Sequence, residues 1–157
     1  MGEVAARAGV APSSIYRRWG TVEALTTDVA ITWLTTTSPI PDTGSIDGDL
    51  RVYAANVARD LTGPDGLAVL HLVIALSKAG EDGKRARDAF LAERARQVQV
   101  MLDRARGRGE RSPDVLDVLD HLLAPMYIRI LFETGSLTTD YVDTLVDRLL
   151  ALTPPRG

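Results

Sequence analysis

The residues in this sequence that are best suited to chemistry lie in one short segment, PSSIYRRW at 12–19. Its hydroxyl, phenol and guanidinium groups come from Ser13, Ser14, Tyr16, Arg17 and Arg18. Ile15 and Trp19 are four residues apart, so on a helix they share one face and leave the polar groups to the others. Such groups bind phosphate oxygens and base edges, and arginine can bond bidentately to guanine. Because the segment also contains no acid, the pattern predicts contact with DNA.

Two predicted helices and a turn position this segment. The alanines before Gly9 favour a first helix, Gly9 ends it, and Pro12 takes the first position of a second helix that runs to about Trp19. Two helices joined by a short turn containing glycine form a helix-turn-helix, whose second helix lies in the DNA major groove. The competing interpretation is an ordinary helical turn beside a solvated arginine pair.

Length and composition are those of a globular chain with a buried core. Of the 157 residues, 45% are hydrophobic and 25% are charged. The absence of cysteine excludes disulfides, thiolate catalysis and cysteine-based zinc sites. No apolar run approaches the ~18 residues of a membrane helix, and the N-terminus has no signal-peptide layout. We therefore expect a cytoplasmic protein with no membrane contact.

The charge is distributed unevenly along the chain. The net charge is -3, yet residues 1–25 carry three arginines against two glutamates, so the rest carries -4. This distribution is consistent with a small DNA-binding end on an acidic body.

Helical periodicity continues through the chain and predicts an all-α fold. A DNA-binding head with its connector helix occupies residues 1–36, and a second helical domain occupies 46–152. The segment SPIPDTGS separates them, because its prolines and glycine break any helix. Within the second domain we predict helices at about 46–61, 67–78, 84–106, 113–133 and 139–152.

Three of these helices carry further predictions. The helix at 67–78 is apolar nearly all round and should be buried. The helix at 84–106 is arginine-rich, and interleaved acids favour a solvated, ion-paired face over a nucleic-acid surface. Ser112 should cap the helix at 113–133, with Pro113 at its first position, Pro125 kinking it and Gly135 ending it.

The ordered pattern AxxAGVAPSSIYRRWGTVEAL closely resembles the DNA-binding signature of the TetR (tetracycline-repressor) type bacterial transcription regulators. By this resemblance Tyr16 contacts a phosphate, and Ser14 and Arg17 lie toward the bases and backbone. Thr21 is a further predicted DNA contact, and it begins the helix that links the DNA head to the ligand domain. The resemblance implies a homodimeric regulator, most often a repressor, that binds a double-stranded DNA operator and is released from it by a small-molecule effector.

The chain departs from the family pattern at three places. It begins inside the first helix of the motif, where the family has one more helix before it. Ala11 stands where the family usually places a Ser or Thr cap, and Val22 replaces a common lysine. The alternative prediction is therefore a truncated homologue that dimerises and binds a ligand without binding DNA.

The resemblance places the effector pocket among the helices of residues 46–133. Aromatic or soft side chains with one polar group are the candidates, and core packing is the competing interpretation for each. They are Trp33, Tyr53, His71, Met101, Met126 and Phe132.

The last two long helices carry more apolar surface than a single chain needs, and in the family they pair with those of a second copy. Covering the chain's own core is the other interpretation. The candidate dimer residues are Leu116, Leu119, Leu123, Tyr127, Leu145 and Leu149.

No catalytic constellation is visible. His71 and His121 have no metal-ligand spacing, there is no glycine-rich phosphate loop, and the acids are scattered. We expect no enzyme activity, no cofactor and no metal.

Overall fold

Helices make up all the regular structure in the computed structural model, which describes residues 1–37, 39–78 and 80–152, without the side chains of residues 31 and 33–37. In chain order they are α1 Gly2–Ala8, α2 Pro12–Trp19, α3 Val22–Thr37, α4 Ile46–Thr62, α5 Gly66–Leu76, α6 Gly80–Gly107, α7 Val115–Val118, a π-helical turn Leu119–Leu123, α8 Ala124–Leu131 and α9 Thr139–Leu152. The predicted all-α fold is confirmed. None of the described helices is long and apolar enough to cross a bilayer.

The first three helices form the head. Gly9 adopts a left-handed conformation with φ 65°, and its N–H bonds back to the end of α1, so the chain reverses there. Pro12 starts α2 after Ala11, which is extended and makes no side-chain cap. Ala5 of α1 and Ile15 of α2 are buried. The helix-turn-helix is present as predicted.

The body is built around α4, which packs against α6, α8 and α9. Its core is one cluster of buried apolar side chains drawn from five helices and the π-helical turn. The members with no or almost no exposure are Leu50, Tyr53, Ala54, Val98, Met101, Leu102, Ala105, Val118, Leu122, Leu123, Met126, Val146 and Leu149.

Charged groups fasten the segment before α4 to the end of α6. Asp49 is fully buried and accepts hydrogen bonds from Thr43 N at 2.6 Å, Thr43 Oγ1 at 2.8 Å and Arg108 Nη2 at 3.1 Å. Burial raises the pKa of Asp49, but the bonds from Thr43 and the charge of Arg108 outweigh it and hold that pKa below its ordinary value. Asp42 pairs with Arg104 at 3.0 Å. These contacts form a clamp at the C-terminal end of α6.

The helix α5 is not buried as predicted. Only Gly66 and Leu76 are buried, whereas His71 and Ile74 are exposed. The reason is that α5 packs on α4 and α6 with one face, and no further layer of the described chain covers the other. Gly66 permits this packing, because a Cβ there would collide with the carbonyl oxygen of Asp60.

Two helix starts also differ from the predictions. The helix predicted from residue 84 begins at Gly80, and Gly83 lies buried within its first turn. The helix predicted from Pro113 begins at Val115, because Asp114 is extended and its N–H donates to Asp117 Oδ2 at 3.2 Å. Asp114, and not Ser112, is therefore the residue at the N-cap.

Pro125 and Glu133 shape the rest of this helix. Pro125 lies in the first turn of α8, directly after the π-helical turn. A proline ring crowds the carbonyl four residues before it, and a wider turn accommodates that crowding. The helix ends at Leu131, before the predicted Gly135, because Glu133 is left-handed with φ 52° and Thr134 N bonds to Arg129 O at 3.2 Å.

Candidate nucleic-acid interface and effector cavity

The face of α2 opposite Ile15 is a surface of donors and cations. Ser13, Tyr16 and Arg17 are exposed, Tyr16 by 53%, and Ser14 is half-buried. Since α2 contains no acid, nothing on this helix neutralises its guanidinium groups. The four side chains therefore present hydroxyls, a phenol and a positive charge to solvent, as a helix in the major groove requires.

Arg18 and Thr21, also predicted to contact DNA, have structural partners. The Arg18 guanidinium lies over the Trp19 ring, 4.8 Å from its centroid, and Trp19 Nε1 donates to Asp28 Oδ2 at 3.0 Å. Thr21 Oγ1 accepts the N–H of Ala24 at 3.1 Å and so caps α3. These contacts join α2 to α3, so the recognition helix and the connector helix form one unit.

The head meets the body along α6. The connector α3 packs on α6. An open groove of about 570 Å³ separates the start of α3 from the first turns of α6, with Arg18 and Thr21 on one side and Asp82 and Arg85 on the other. The N-terminal part of α6 is thus the element of the body nearest the recognition helix.

A second, largely apolar cavity of about 280 Å³ lies within the body. It is enclosed by α4, α5, α6 and the helical stretch at 115–131. Its apolar walls are Val57, Leu61, Gly66, Val69, Leu70, Val73, Phe90, Leu91, Leu119 and Tyr127, and Asp60 and Arg94 are its polar members. Within the described ranges no group of three or more histidines and acids could hold a metal ion.

Arg94 is an unusual residue in the wall of a largely apolar cavity, because it is charged and buried. It is only 5% exposed, and its guanidinium lies 4.9 Å from the centroid of the Tyr53 ring. Neither Nε nor Nη1 of Arg94 has a hydrogen-bond acceptor in the part of the chain that the structure describes. The buried Tyr53 Oη and Gln97 Oε1 also lack partners there. Burial raises the pKa of Tyr53, against the opposing charge of Arg94, so its hydroxyl stays protonated.

Comparison with known proteins identifies the family. Residues 40–149 match the tetracyclin repressor-like C-terminal domain. The chain belongs to the TetR family. The resemblance seen in the helix-turn-helix is thereby confirmed by a match to a different part of the chain.

The similar proteins of this TetR-family chain are regulators. It is 29% identical over 146 residues to the uncharacterized HTH-type transcriptional regulator YdeS of Bacillus subtilis (strain 168). The aligned residues make up 92% of this chain and 74% of that protein. It is 33% identical over 108 residues to the HTH-type transcriptional regulator AqdR of Rhodococcus erythropolis, over 69% of this chain and 52% of that protein.

A solved structure resembles the whole fold. The crystal structure of the TetR family transcription regulator SCO0332 gives a TM-score of 0.82 at 26% identity, over 99% of this chain and 87% of that one. Together with the family match, these likenesses show a transcription regulator. Membership in a family of regulators confirms the prediction that the chain is not an enzyme.

In the structure of this TetR-family regulator, five of the six predicted pocket residues do not line the cavity. Tyr53, Met101 and Met126 are fully buried in the core, and the Tyr53 ring lies against Arg94 of the cavity wall. His71 is exposed on α5, and Phe132, 68% exposed, follows α8. The side chain of Trp33 lies outside the described residues. Aromatic and soft side chains fill cores as well as pockets, which is why composition alone did not separate the two roles.

The predicted dimer residues divide into three groups. Leu123, Leu145 and Leu149 belong to the chain's own core, and Leu119 and Tyr127 line the cavity. Leu116 is 70% exposed, and the structure also exposes Ile128 on α8 and Phe132, four residues later and directly after that helix. Leu116 is therefore the one predicted dimer residue that faces outward, and the structure adds Ile128 and Phe132 to it.

Arg94 is a buried cavity-lining residue that the sequence did not single out. The solvated-face interpretation holds for its neighbours, since Arg96 pairs with Glu93 at 2.7 Å and Arg106 pairs with Asp103 at 3.0 Å. Arg94, by contrast, is buried. The signal was its spacing of four from Phe90 and from Val98, which puts the arginine on the apolar face.

Proposed function

We propose that the chain is a cytoplasmic, ligand-responsive TetR-family repressor. As a homodimer it binds a two-fold symmetric operator in double-stranded DNA, and a small molecule bound in the cavity of the body releases it. The observation that carries this proposal is the position of α6, because this helix packs on the connector α3 and also lines the cavity through Phe90, Leu91 and Arg94.

The outer face of α2 supports the DNA-binding part. Tyr16 and Arg17 are exposed and free of acidic neighbours on their own helix. Arginine bonds bidentately to guanine, and the hydroxyls of Ser13 and Tyr16 suit phosphate oxygens. The face can therefore supply both backbone contacts and base contacts.

Coupling through α6 supports ligand control. An effector shifts an equilibrium only by its different affinity for two conformations. In the cavity an effector touches α5 and α6, and α6 in turn contacts the connector α3. A conformation of α6 that suits the ligand then changes the placement of α2 relative to a second copy.

The exposed apolar side chains of Leu116, Ile128 and Phe132 support the dimer. Large apolar side chains left exposed in this way are typical of a protein interface. A two-fold dimer would present its two α2 helices to half-sites about 34 Å apart, one helical turn of DNA.

The test is fluorescence anisotropy of the full chain with a duplex from the region upstream of its own gene. We expect saturable, salt-sensitive binding, and Arg17→Ala should weaken it by about 1–3 kcal/mol, or roughly 5- to 150-fold. Arg7→Ala is the matched control, because Arg7 is an exposed head arginine that pairs with Glu3 on α1. It should change affinity much less.

Sedimentation equilibrium tests the dimer in the same preparation. Phe132→Glu should shift the chain toward monomer, whereas Val100→Glu, at an exposed site on α6, should not. A dimer that fails to bind any operator duplex would overturn the proposed repressor function. It would favour the alternative, a homologue that dimerises and binds a ligand without binding DNA.

A further inference from the structure

We propose that the effector is a small apolar acid whose carboxylate is bound by Arg94, an inference that rests on the proposed role of the cavity as the effector site. The carrying observation is a buried, unpartnered guanidinium in the wall of an otherwise largely apolar cavity.

The charge of Arg94 has no counter-ion in the described chain. An arginine stays protonated in proteins, and removing its charge from water without a partner is unfavourable. The face of the Tyr53 ring offsets part of this, since the guanidinium lies 4.9 Å from its centroid. The unsatisfied Nε and Nη1 still call for an acceptor, and Arg94 lines a cavity that an anion can enter.

The acid next to Arg94 in sequence is engaged elsewhere. Glu93 accepts from Arg96 at 2.7 Å and from Gln97 Nε2 at 3.1 Å. Its carboxylate is already engaged by Arg96 and Gln97. Glu93 therefore does not pair with Arg94, the next residue, which lines the cavity.

The other acid near the cavity is also paired. Asp60 lines the wall, and its Oδ1 lies 3.5 Å from Arg59 Nη2. This ion pair offsets part of the negative charge that would otherwise repel an anion. The remaining charge in the wall is that of Arg94.

The guanidinium favours a planar oxygen pair. Arginine presents parallel N–H groups that match the two oxygens of a carboxylate. A simple hydrogen-bond acceptor such as an alcohol oxygen would use one of these donors and leave the charge unpaired. A carboxylate satisfies both needs at once.

The apolar walls set the remainder of the ligand. Leu70, Val73, Phe90 and Leu119 line the cavity and offer only van der Waals contact. A volume of about 280 Å³ holds roughly ten non-hydrogen atoms at about 30 Å³ each. A straight-chain acid about the size of octanoate fits that estimate.

Isothermal titration calorimetry of the full chain tests the assignment with hexanoate, octanoate and decanoate against the primary alcohols of equal length. We expect at least one acid to bind more tightly than its alcohol. Arg94→Met should weaken that acid by about 10- to 100-fold, the loss of charge-assisted hydrogen bonds. Alcohol binding should be unchanged. Arg94→Lys should retain part of the preference for the acid.

Two controls keep a loss of binding interpretable. Arg96→Met removes an exposed arginine from the same helix and should leave acid binding unchanged. Arg94→Met should raise the melting temperature of the unliganded chain, because it removes a buried unpaired charge. A folded Arg94→Met that no longer prefers the acid therefore reports the site itself.

The outcomes separate this inference from the proposed function. Alcohols that bind as tightly as acids, or acid binding that survives Arg94→Met, would overturn the inference that Arg94 binds a carboxylate. Neither result would contradict the proposal of a ligand-responsive regulator. Failure of every acid to bind would also overturn it. The repressor is judged independently by the operator titration and its Arg17→Ala control.

Discussion

The head and the body differ in where their polar and charged groups lie. The head exposes them to solvent, whereas the body buries one of them in its core. In the head, Ala5, Ile15 and Ala30 are the buried apolar residues in the described part, while Tyr16 and Arg17 face solvent. In the body a large apolar cluster is buried, and the unpaired guanidinium of Arg94 is buried with it. A surface that reads DNA needs little core of its own, whereas a site that recognises a small molecule needs a core around it.

The largest effect that tests this comparison is a core truncation in each region. Leu102→Ala should destabilise the body by about 2–5 kcal/mol, because it opens a cavity among fully buried neighbours. Ile15→Ala should unfold the head locally, with little change in the body and loss of operator binding. Urea unfolding resolves the two, since both tryptophans lie in residues 1–37: fluorescence follows the head and connector, and far-ultraviolet circular dichroism follows the whole chain.

If Ile15→Ala lowered both transitions equally, the two regions would unfold as one unit and the comparison would fail. Leu102→Ala supplies the matched case, because loss of the body should remove the surface of α6 against which α3 packs. We expect that variant to shift both signals.

A smaller effect tests the clamp that holds the segment before α4 against the end of α6. Asp49→Asn should destabilise the chain by about 2–4 kcal/mol, because Arg108 loses a buried anionic partner. The control is Asp47→Asn in the same turn, an exposed partner of Arg51 that should cost less than about 1 kcal/mol. Urea unfolding at neutral pH measures both. Equal effects would show that the clamp is no stronger than a surface ion pair.

The same clamp predicts a pH dependence. The folded state lowers the pKa of Asp49 below its ordinary value of 3.8, so its stabilisation is complete above that value. It is lost as pH falls through the lower folded pKa. The difference in stability between the wild type and Asp49→Asn should therefore shrink below about pH 3.8. A difference that stays constant there would contradict the lowered pKa.

The smallest effects come from two left-handed residues, one in each region. Gly9→Ala puts a side chain at φ 65° and should cost about 1 kcal/mol, detected as weaker operator binding. Glu133→Gly relieves φ 52° and should stabilise the body by about 0.5–1 kcal/mol. Glu133→Ala is its control, since it removes the charge and keeps the strain. A gain in that variant would point to the charge instead.

The sequence predicted the head well because its signals are local. Gly9 and Pro12 mark the turn directly, and α2 and α9 have the predicted bounds. The exposure of α5 and the burial of Arg94 were not predicted. Whether an apolar face is covered depends on helices distant in sequence, and an arginine is nearly always assigned to the surface. In the folded chain Arg94 is buried, as its spacing of four from Phe90 indicates.

Under the proposed function, the length of α6 amplifies at the head a displacement that begins at the cavity. Its 28 residues span about 42 Å, with Arg104 and Arg108 held at one end and the connector packed toward the other. Arg94 lies near the middle, so a displacement at the cavity is roughly doubled at the N-terminal end of α6. A tilt of about 5° about the held end carries the far end through about 4 Å. That distance is close to one base-pair step of about 3.4 Å, enough to move a recognition helix out of register with its half-site.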